Sequence, residues 1–200
     1  MSPLYGGSGG NSVVLDPETG QLVSDPLNPS IAMDSRTGNI YAAWEDGRFS
    51  SFQYNDIALS MSSDGGFTWS APIRVNQTPL NVPTPNRQSF FPALAVGADG
   101  TIGVSYYDFR FNDPSLGLPT DRWLVRCQPT STKSATNPAN WGNEVRLTDS
   151  AFNMEACGTM LGGFFPGDYY GLATGSDFVS VFTQVDRDNV TALFFRRVSK

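Results

Sequence analysis

Apolar residues along this chain come in short runs closed by Gly, Pro, Ser, Thr, Asn and Asp, a pattern of many short strands joined by turns that argues against long helices. One run reads Ser30-Ile31-Ala32-Met33-Asp34, turns through Arg36-Thr37-Gly38-Asn39, and continues as Ile40-Tyr41-Ala42-Ala43-Trp44-Glu45-Asp46-Gly47-Arg48. A second reads Ala93-Leu94-Ala95-Val96, turns through Ala98-Asp99-Gly100, and continues from Thr101 to Tyr106-Tyr107-Asp108-Phe109-Arg110. The two superimpose, with Trp44 on Tyr106, Asp46 on Asp108 and Arg48 on Arg110. A looser third copy runs from Tyr170 to Ala173, turns at Gly175-Ser176-Asp177, and ends in Phe178-Val179-Ser180-Val181-Phe182-Thr183-Gln184. Each copy is a hairpin of two apolar strands around a Gly-containing turn.

Further strand material follows each hairpin: Asp56–Met61 and Ala71–Val75, then Arg122–Cys127 and Glu144–Leu147, then Val190–Arg197 alone. Four strands per repeat, recurring at about 60 to 75 residues, is the blade of a β-propeller with long loops. The sequence therefore predicts an all-β chain, a partial or half propeller of about three four-stranded antiparallel blades. The blades are expected at about 12–80, 81–150 and 151–200, behind a flexible Gly/Ser-rich segment 1–11; a β-sandwich of unrelated hairpins is the alternative. The third blade lacks an outer strand, and Ser12–Leu15 is a candidate to supply it. A closed propeller typically has about 4 to 8 blades. Three imply either a piece of a longer protein or a half that pairs with its own copy, a homodimer with a six-bladed ring.

One motif is sharper than the repeat. Ser62-Ser63-Asp64-Gly65-Gly66-Phe67-Thr68-Trp69 fits Ser-x-Asp-x-Gly-x-Thr-Trp at every defined position, between the third and fourth strands of the first blade. Asp64 and Ser62 can fold back on backbone N–H groups, Gly66 can take positive φ, and Trp69 can plug a gap between strands. A remnant runs from Ser134 to Trp141. The octapeptide resembles the Asp-box of the sialidase-like, BNR-repeat propellers, where it is a structural element on the blade periphery. That resemblance implies a sialidase-like fold, a carbohydrate or other anionic small ligand, and an exported, extracytoplasmic location. It also implies a glycoside hydrolase of exo-sialidase type if the chain is an enzyme. The rivals are a non-catalytic adhesion or scaffold propeller and an inactive piece of a longer protein. The Arg-Ile-Pro element of sialidases is absent; Ala71-Pro72-Ile73-Arg74 has another order.

Composition narrows the chemistry. The chain has no His, which removes Ser-His-Asp and Cys-His catalysis and most zinc enzymes. Its net charge of -6 disfavours nucleic acid, and no apolar run approaches the roughly 18 residues of a membrane span. No cofactor or metal is expected, calcium being the one ion left open, since Asp64 lacks the spacing of an EF-hand loop. All basic residues except Lys133 and Lys200 are Arg, which suits two-pronged recognition of carboxylates. Cys127 and Cys157 fit either one disulfide or two buried thiols. Asn76-Gln77-Thr78 and Asn189-Val190-Thr191 fit glycosylation acceptors.

Candidate site residues come from the repeat. Glu45, Asp46 and Arg48 match Tyr107, Asp108 and Arg110 just past the second strand of consecutive blades, where propeller loops present side chains at one end of the channel. Asp46 and Asp108 are candidate catalytic acids; Arg48, Arg110, Glu45 and Tyr107 are candidate substrate contacts. The same repetition also fits an Asp–Arg ion pair that ties each loop to its neighbour. Asp168 and Tyr169, opening the third blade, add an acid beside phenols and are further catalytic candidates.

Overall fold

The computed structural model describes residues 13–24, 29–160, 162–167 and 169–200. Strands β1 (Val14–Leu15) and β2 (Leu22–Ser24) precede the first blade, β3 (Ser30–Met33), β4 (Ile40–Asp46), β5 (Asp56–Ser62) and β6 (Ile73–Arg74). The second blade is β7 (Ser89–Val96), β8 (Ile102–Asp108), β9 (Pro119–Cys127) and β10 (Gly142–Arg146), with β11 (Phe152–Asn153) added to the start of β9. After β12 (Thr159–Met160) and β13 (Gly163–Phe164) comes the third blade, β14 (Gly171–Thr174), β15 (Asp177–Val185) and β16 (Thr191–Ser199). Pairing within each blade is sequential and antiparallel, and the chain is a partial β-propeller.

Alternation along the second strands decides how the blades stack, because successive side chains leave a strand on opposite faces. Tyr41 and Ala43 of β4 join Ile102, Val104 and Tyr106 of β8 in the core between the first two blades. Tyr107 and Phe109, on the other face of the second blade, join Phe178 and Phe182 of β15 in the core between the second and third. Both faces of β8 are thus covered, which is why it reads as a continuous apolar run. Ala42, Trp44 and Ala58 form a smaller cluster on the outer face of the first blade. On the third blade, Leu193 and Phe195 of β16 are exposed.

The octapeptide Ser62–Trp69 folds as its residues dictate. Ser62 Oγ accepts from the Gly66 N–H at 2.8 Å, and Asp64 accepts from both the N–H and hydroxyl of Thr68 at 2.9 and 2.6 Å. Gly66 has φ 92°, and the Trp69 indole donates to its carbonyl at 3.1 Å. The Thr68 hydroxyl, backbone N–H groups and Ser62 hold the Asp64 carboxyl down at about 2. In the second blade the Trp141 indole also donates within its own segment, to the Ala135 carbonyl at 2.8 Å, six residues back rather than three, and the Asp is lost.

The structure corrects the expected role of the N-terminal strand. Val14–Leu15 pairs with β2 rather than with β16, and β2 runs parallel to β13. These short strands and β12 make a separate four-stranded sheet. The Gln88 side chain fixes its edge, accepting from the Leu15 N–H at 3.0 Å and donating to the Leu15 carbonyl at 2.7 Å. Val14, Val23 and Phe164 are buried in the core shared by the second and third blades, so burial outweighs the unpaired edge of β16. Both cysteines are buried free thiols in different cores, Cys127 between the first two blades and Cys157 beside Met154. Burial pushes each thiol up to about 11.

Gly103 of β8 marks a close approach between the second and third blades: a Cβ there would lie 2.6 Å from the Phe178 ring. Gly103→Ala therefore pushes a core ring outward and is expected to lower stability by about 1–3 kcal/mol. Denaturant unfolding checks this; an unchanged midpoint would mean that the third blade yields without cost.

Candidate functional site

Antiparallel order puts the loops 47–55 and 109–118, the blade-to-blade segment 75–88 and the chain just after β10 and just before β14 at one end of the sheets. Asp46 and Asp108 close β4 and β8 at this loop end. Asp46 accepts from the Trp44 indole at 2.7 Å, from the Arg48 N–H at 2.9 Å and from Arg48 Nε at 2.7 Å. Asp108 accepts from the Trp123 indole at 2.9 Å, Arg110 Nε at 2.7 Å and the Thr78 hydroxyl at 2.6 Å. Each carboxylate is thus held by an indole, an arginine two residues on, and a nearby backbone or hydroxyl donor. The indole changes strands between blades: Trp44 lies on the same strand as its Asp, whereas Trp123 lies on β9, paired across from Tyr106.

Burial separates the two units. Asp108 has no exposed surface, and the Arg110 side chain is 7% exposed against 31% for Arg48. Arg110 also bonds Glu144 at 2.6 and 3.1 Å and lies over the Trp123 ring at 3.7 Å. Tyr106 donates to Glu144 and accepts from the Gln77 N–H. Burial pushes the Asp108 carboxyl up to about 6 against the opposing pull of Arg110 and Thr78.

A second set of Asp–Arg pairs lies beside the first. Asp56 pairs with Arg74 at 2.8 Å, and Asp121 with Arg146 at 2.7 Å. In register, Asp46 faces Asp56 and Asp108 faces Asp121, so each of the first two blades ends in two carboxylates and two guanidiniums. Asn76 links the rows, donating to Asp56 at 2.9 Å and to Ser89 at 2.9 Å, while Thr78 carries the chain on to Asp108. This outer row was overlooked in the sequence; its signal is the Arg shared by Ile73-Arg74-Val75 and Val145-Arg146-Leu147 in the fourth strands.

Glu45 and Tyr107, one residue before each Asp, point to the opposite face and reach the next blade. Glu45 accepts from the Phe91 N–H at 2.9 Å and from Ser24 Oγ at 2.9 Å. Tyr107 donates to the Thr183 carbonyl at 2.5 Å, and burial pushes it up to about 12. Both are buried, away from the solvent side of the loops. Between them lies Arg122, fully buried and with no ion pair among the described residues. It donates to the Phe91 carbonyl at 2.8 Å and to Ser105 Oγ at 2.9 Å, and it lies over the rings of Tyr107 and Tyr170 at 4.4 and 5.1 Å. Its Nε has no partner, and burial lowers its pKa. Tyr169 is 88% exposed, while Asp168 lies outside the described residues. In the third blade, Gln184 holds the position of Asp46 and Asp108, so the carboxylate repeat stops there.

Solvent meets aromatic surface at this end. Phe52 and Phe111 are exposed, Phe52 on a turn where it and Ser51 both adopt left-handed φ of 63° and 55°. Arg146 lies 5.6 Å over the Phe111 ring. Among the described residues, no group of three or more acidic or Cys side chains converges as a metal cage.

Asp108 sets a pH signature. Its folded value lies above the unfolded one of about 3.9, so its contribution favours folding below about pH 4 and is lost as pH rises through about 6. The stability gap between the native chain and Asp108→Asn is therefore expected to shrink, against the native chain, by about 3 kcal/mol from pH 4 to 6 and to stay level above. Denaturant midpoints of both proteins across this window measure it; a gap independent of pH would show that Asp108 ionises normally.

No protein-family model matches the chain, and no curated protein does. Solved structures share its fold at low identity. The chain is similar to the α-L-arabinofuranosidase from Lactobacillus brevis, with TM-score 0.51 and 12% identity over 89% of this chain and 50% of that one. It is similar to Trypanosoma rangeli sialidase in complex with 2,3-difluorosialic acid, with TM-score 0.50 and 16% identity over 92% and 31%. A Dyadobacter fermentans protein of unknown function gives TM-score 0.50 and 17% identity over 84% and 49%. The chain thus spans about a third to a half of the length of these structures, and its fold is that of a partial, sialidase-like β-propeller.

Proposed function

We propose that this chain is the carbohydrate-binding part of an exported, Asp-box propeller, and that its loop end holds the sugar. The observation that carries this reading is the division of labour at that end. Carboxylates are buried as counter-ions, while Arg48 and the rings of Phe52, Phe111 and Tyr169 face solvent. Exposed aromatic faces suit the apolar face of a sugar ring, and a guanidinium suits its hydroxyl or carboxylate groups. Left-handed backbone at Ser51 and Phe52 costs free energy, and such strain clusters at ligand sites. In this reading Asp46 and Asp108 hold Arg48 and Arg110 in place, Glu45 and Tyr107 fix the blades behind them, and residues 12–200 form one propeller unit behind segment 1–11. Glycan-array binding tests it: Phe52→Ala with Phe111→Ala is expected to weaken binding about tenfold or more with the fold intact. Binding unaffected by both changes would remove the loop end from the reading.

A second reading, glycoside hydrolysis, rests on the Asp108 carboxyl at about 6, in the range of a glycosidase general acid, and requires that substrate binding uncover this fully buried group. Turnover of chromogenic glycosides, sialosides included, that disappears in Asp108→Asn would establish it. The binding-only reading expects no turnover from either protein.

The partner best suited to the open outer faces of the first and third blades is a second copy of the chain. Each of these faces is the counterpart of one already packed inside the chain, and two copies would bring six blades together. Sedimentation is expected to give twice the chain mass; a well-folded monomer at micromolar concentration would rule this partner out.

A further inference from the structure

At the opposite end of the sheets, a cleft of about 710 Å³ opens between the end of β9, the 130–143 loop and the end of β16. Its volume lies within the roughly 300–1,000 Å³ of small-molecule sites. Its charge is unlike that of the rest of the chain. Among the described residues, ion pairs engage every cation except Arg87, Arg122, Arg126 and Lys133, and the last two line this cleft together. Asp99 is the one acidic side chain in the lining, and Lys200 already neutralises it at 3.0 Å. The cleft therefore carries an excess of positive charge in a chain of net charge -6.

The cations are also placed rather than scattered. Arg126 donates to the Asn143 carbonyl at 2.8 Å and to the Ser199 carbonyl at 2.5 Å, which fixes its guanidinium plane without neutralising it. Lys133 projects from the facing loop, exposed. Gln128 is tied to the Asp99 carbonyl at 3.1 Å, and the Asn143 side chain makes no hydrogen bond among the described residues, which leaves an amide for a hydroxyl group. A fixed guanidinium, an exposed ammonium and a spare amide recognise an oxyanion joined to hydroxyls. We propose that this cleft binds a small hydroxylated organic anion, such as a hexuronate or a sulfated hexose. The site is separate from the loop end and stands without any role there.

The test is a titration followed by amide NMR, with glucuronate, glucose 6-sulfate, glucose and inorganic sulfate as probes. Glucuronate or glucose 6-sulfate is expected to bind with millimolar or better affinity and to shift the signals of Gln128 and Asn143, while glucose does not bind. Lys133→Glu, a change at an exposed side chain, is expected to weaken the acid sugars about tenfold. Its spectrum outside the cleft should overlay that of the native chain. Phe111→Ala at the loop end should bind them unchanged, so failure of one site is distinguishable from failure of the other. Absence of any shift up to about 10 mM, or equal affinity in Lys133→Glu, overturns the proposal. Sulfate alone binding as tightly as glucose 6-sulfate overturns recognition of the hydroxylated part.

Discussion

The peptide groups at Phe91 are gripped by buried charge from two directions, and the stacking of the blades depends on that grip. Glu45 of the first blade takes the N–H; Arg122 of the second takes the C=O and lies against Tyr170, which leads into the third. Phe91 sits at a bulge in β7 with φ 50°, a conformation that costs a non-glycine residue about 1–3 kcal/mol. Pro92 follows and offers no N–H to the ladder. Local preference therefore opposes this turn of the chain, and the two charges overcome it. Removing either side chain leaves one of these peptide groups without its partner, a loss of about 1–3 kcal/mol. Ser24, from the small accessory sheet, joins the same carboxylate, so one cluster connects all four sheets.

The acids at the loop end follow a similar logic on a repeating scale. The four Asp carboxylates there, Asp46, Asp56, Asp108 and Asp121, each meet a guanidinium, and several also meet an indole or an amide. Such pairs contribute little net free energy once desolvation is counted, but they fix geometry. The result is a rigid rim from which arginine and aromatic surfaces face outward. Register explains the doubling: strands two and three of a blade end side by side, so an Asp on each brings two carboxylates together, and strand four must supply a second arginine.

The repeat of Trp44, Tyr106 and Phe182 was legible in the sequence because blade formation is local: each hairpin is bounded by its own turn within about twenty residues. The octapeptide at Ser62–Trp69 was legible for the same reason, since its hydrogen bonds all close within the segment. What escaped was set by contacts distant in the chain. Trp123 replaces the indole of Trp44 from another strand, Glu144 reaches Arg110 across 34 positions, and β2 meets β13 across some 140. Arg122 looks like any strand residue in the sequence, because nothing next to it betrays that it is buried with no ion pair among the described residues. Glu45 and Tyr107 were aligned correctly with each other, but strand alternation turns them away from the loop end, toward the neighbouring blade.

Asn76 bears on how the chain matures. Its amide nitrogen faces Asp56 and Ser89 in a closed interior, although Asn76-Gln77-Thr78 has the form of an oligosaccharide acceptor. An attached sugar would have to occupy space filled by those partners, so modification at this asparagine and the native state exclude each other. In any secretory compartment that modifies such tripeptides, the yield of native chain becomes a race between closure of the first two blades and the transferase. The exposed turn at Asn189 faces no such race.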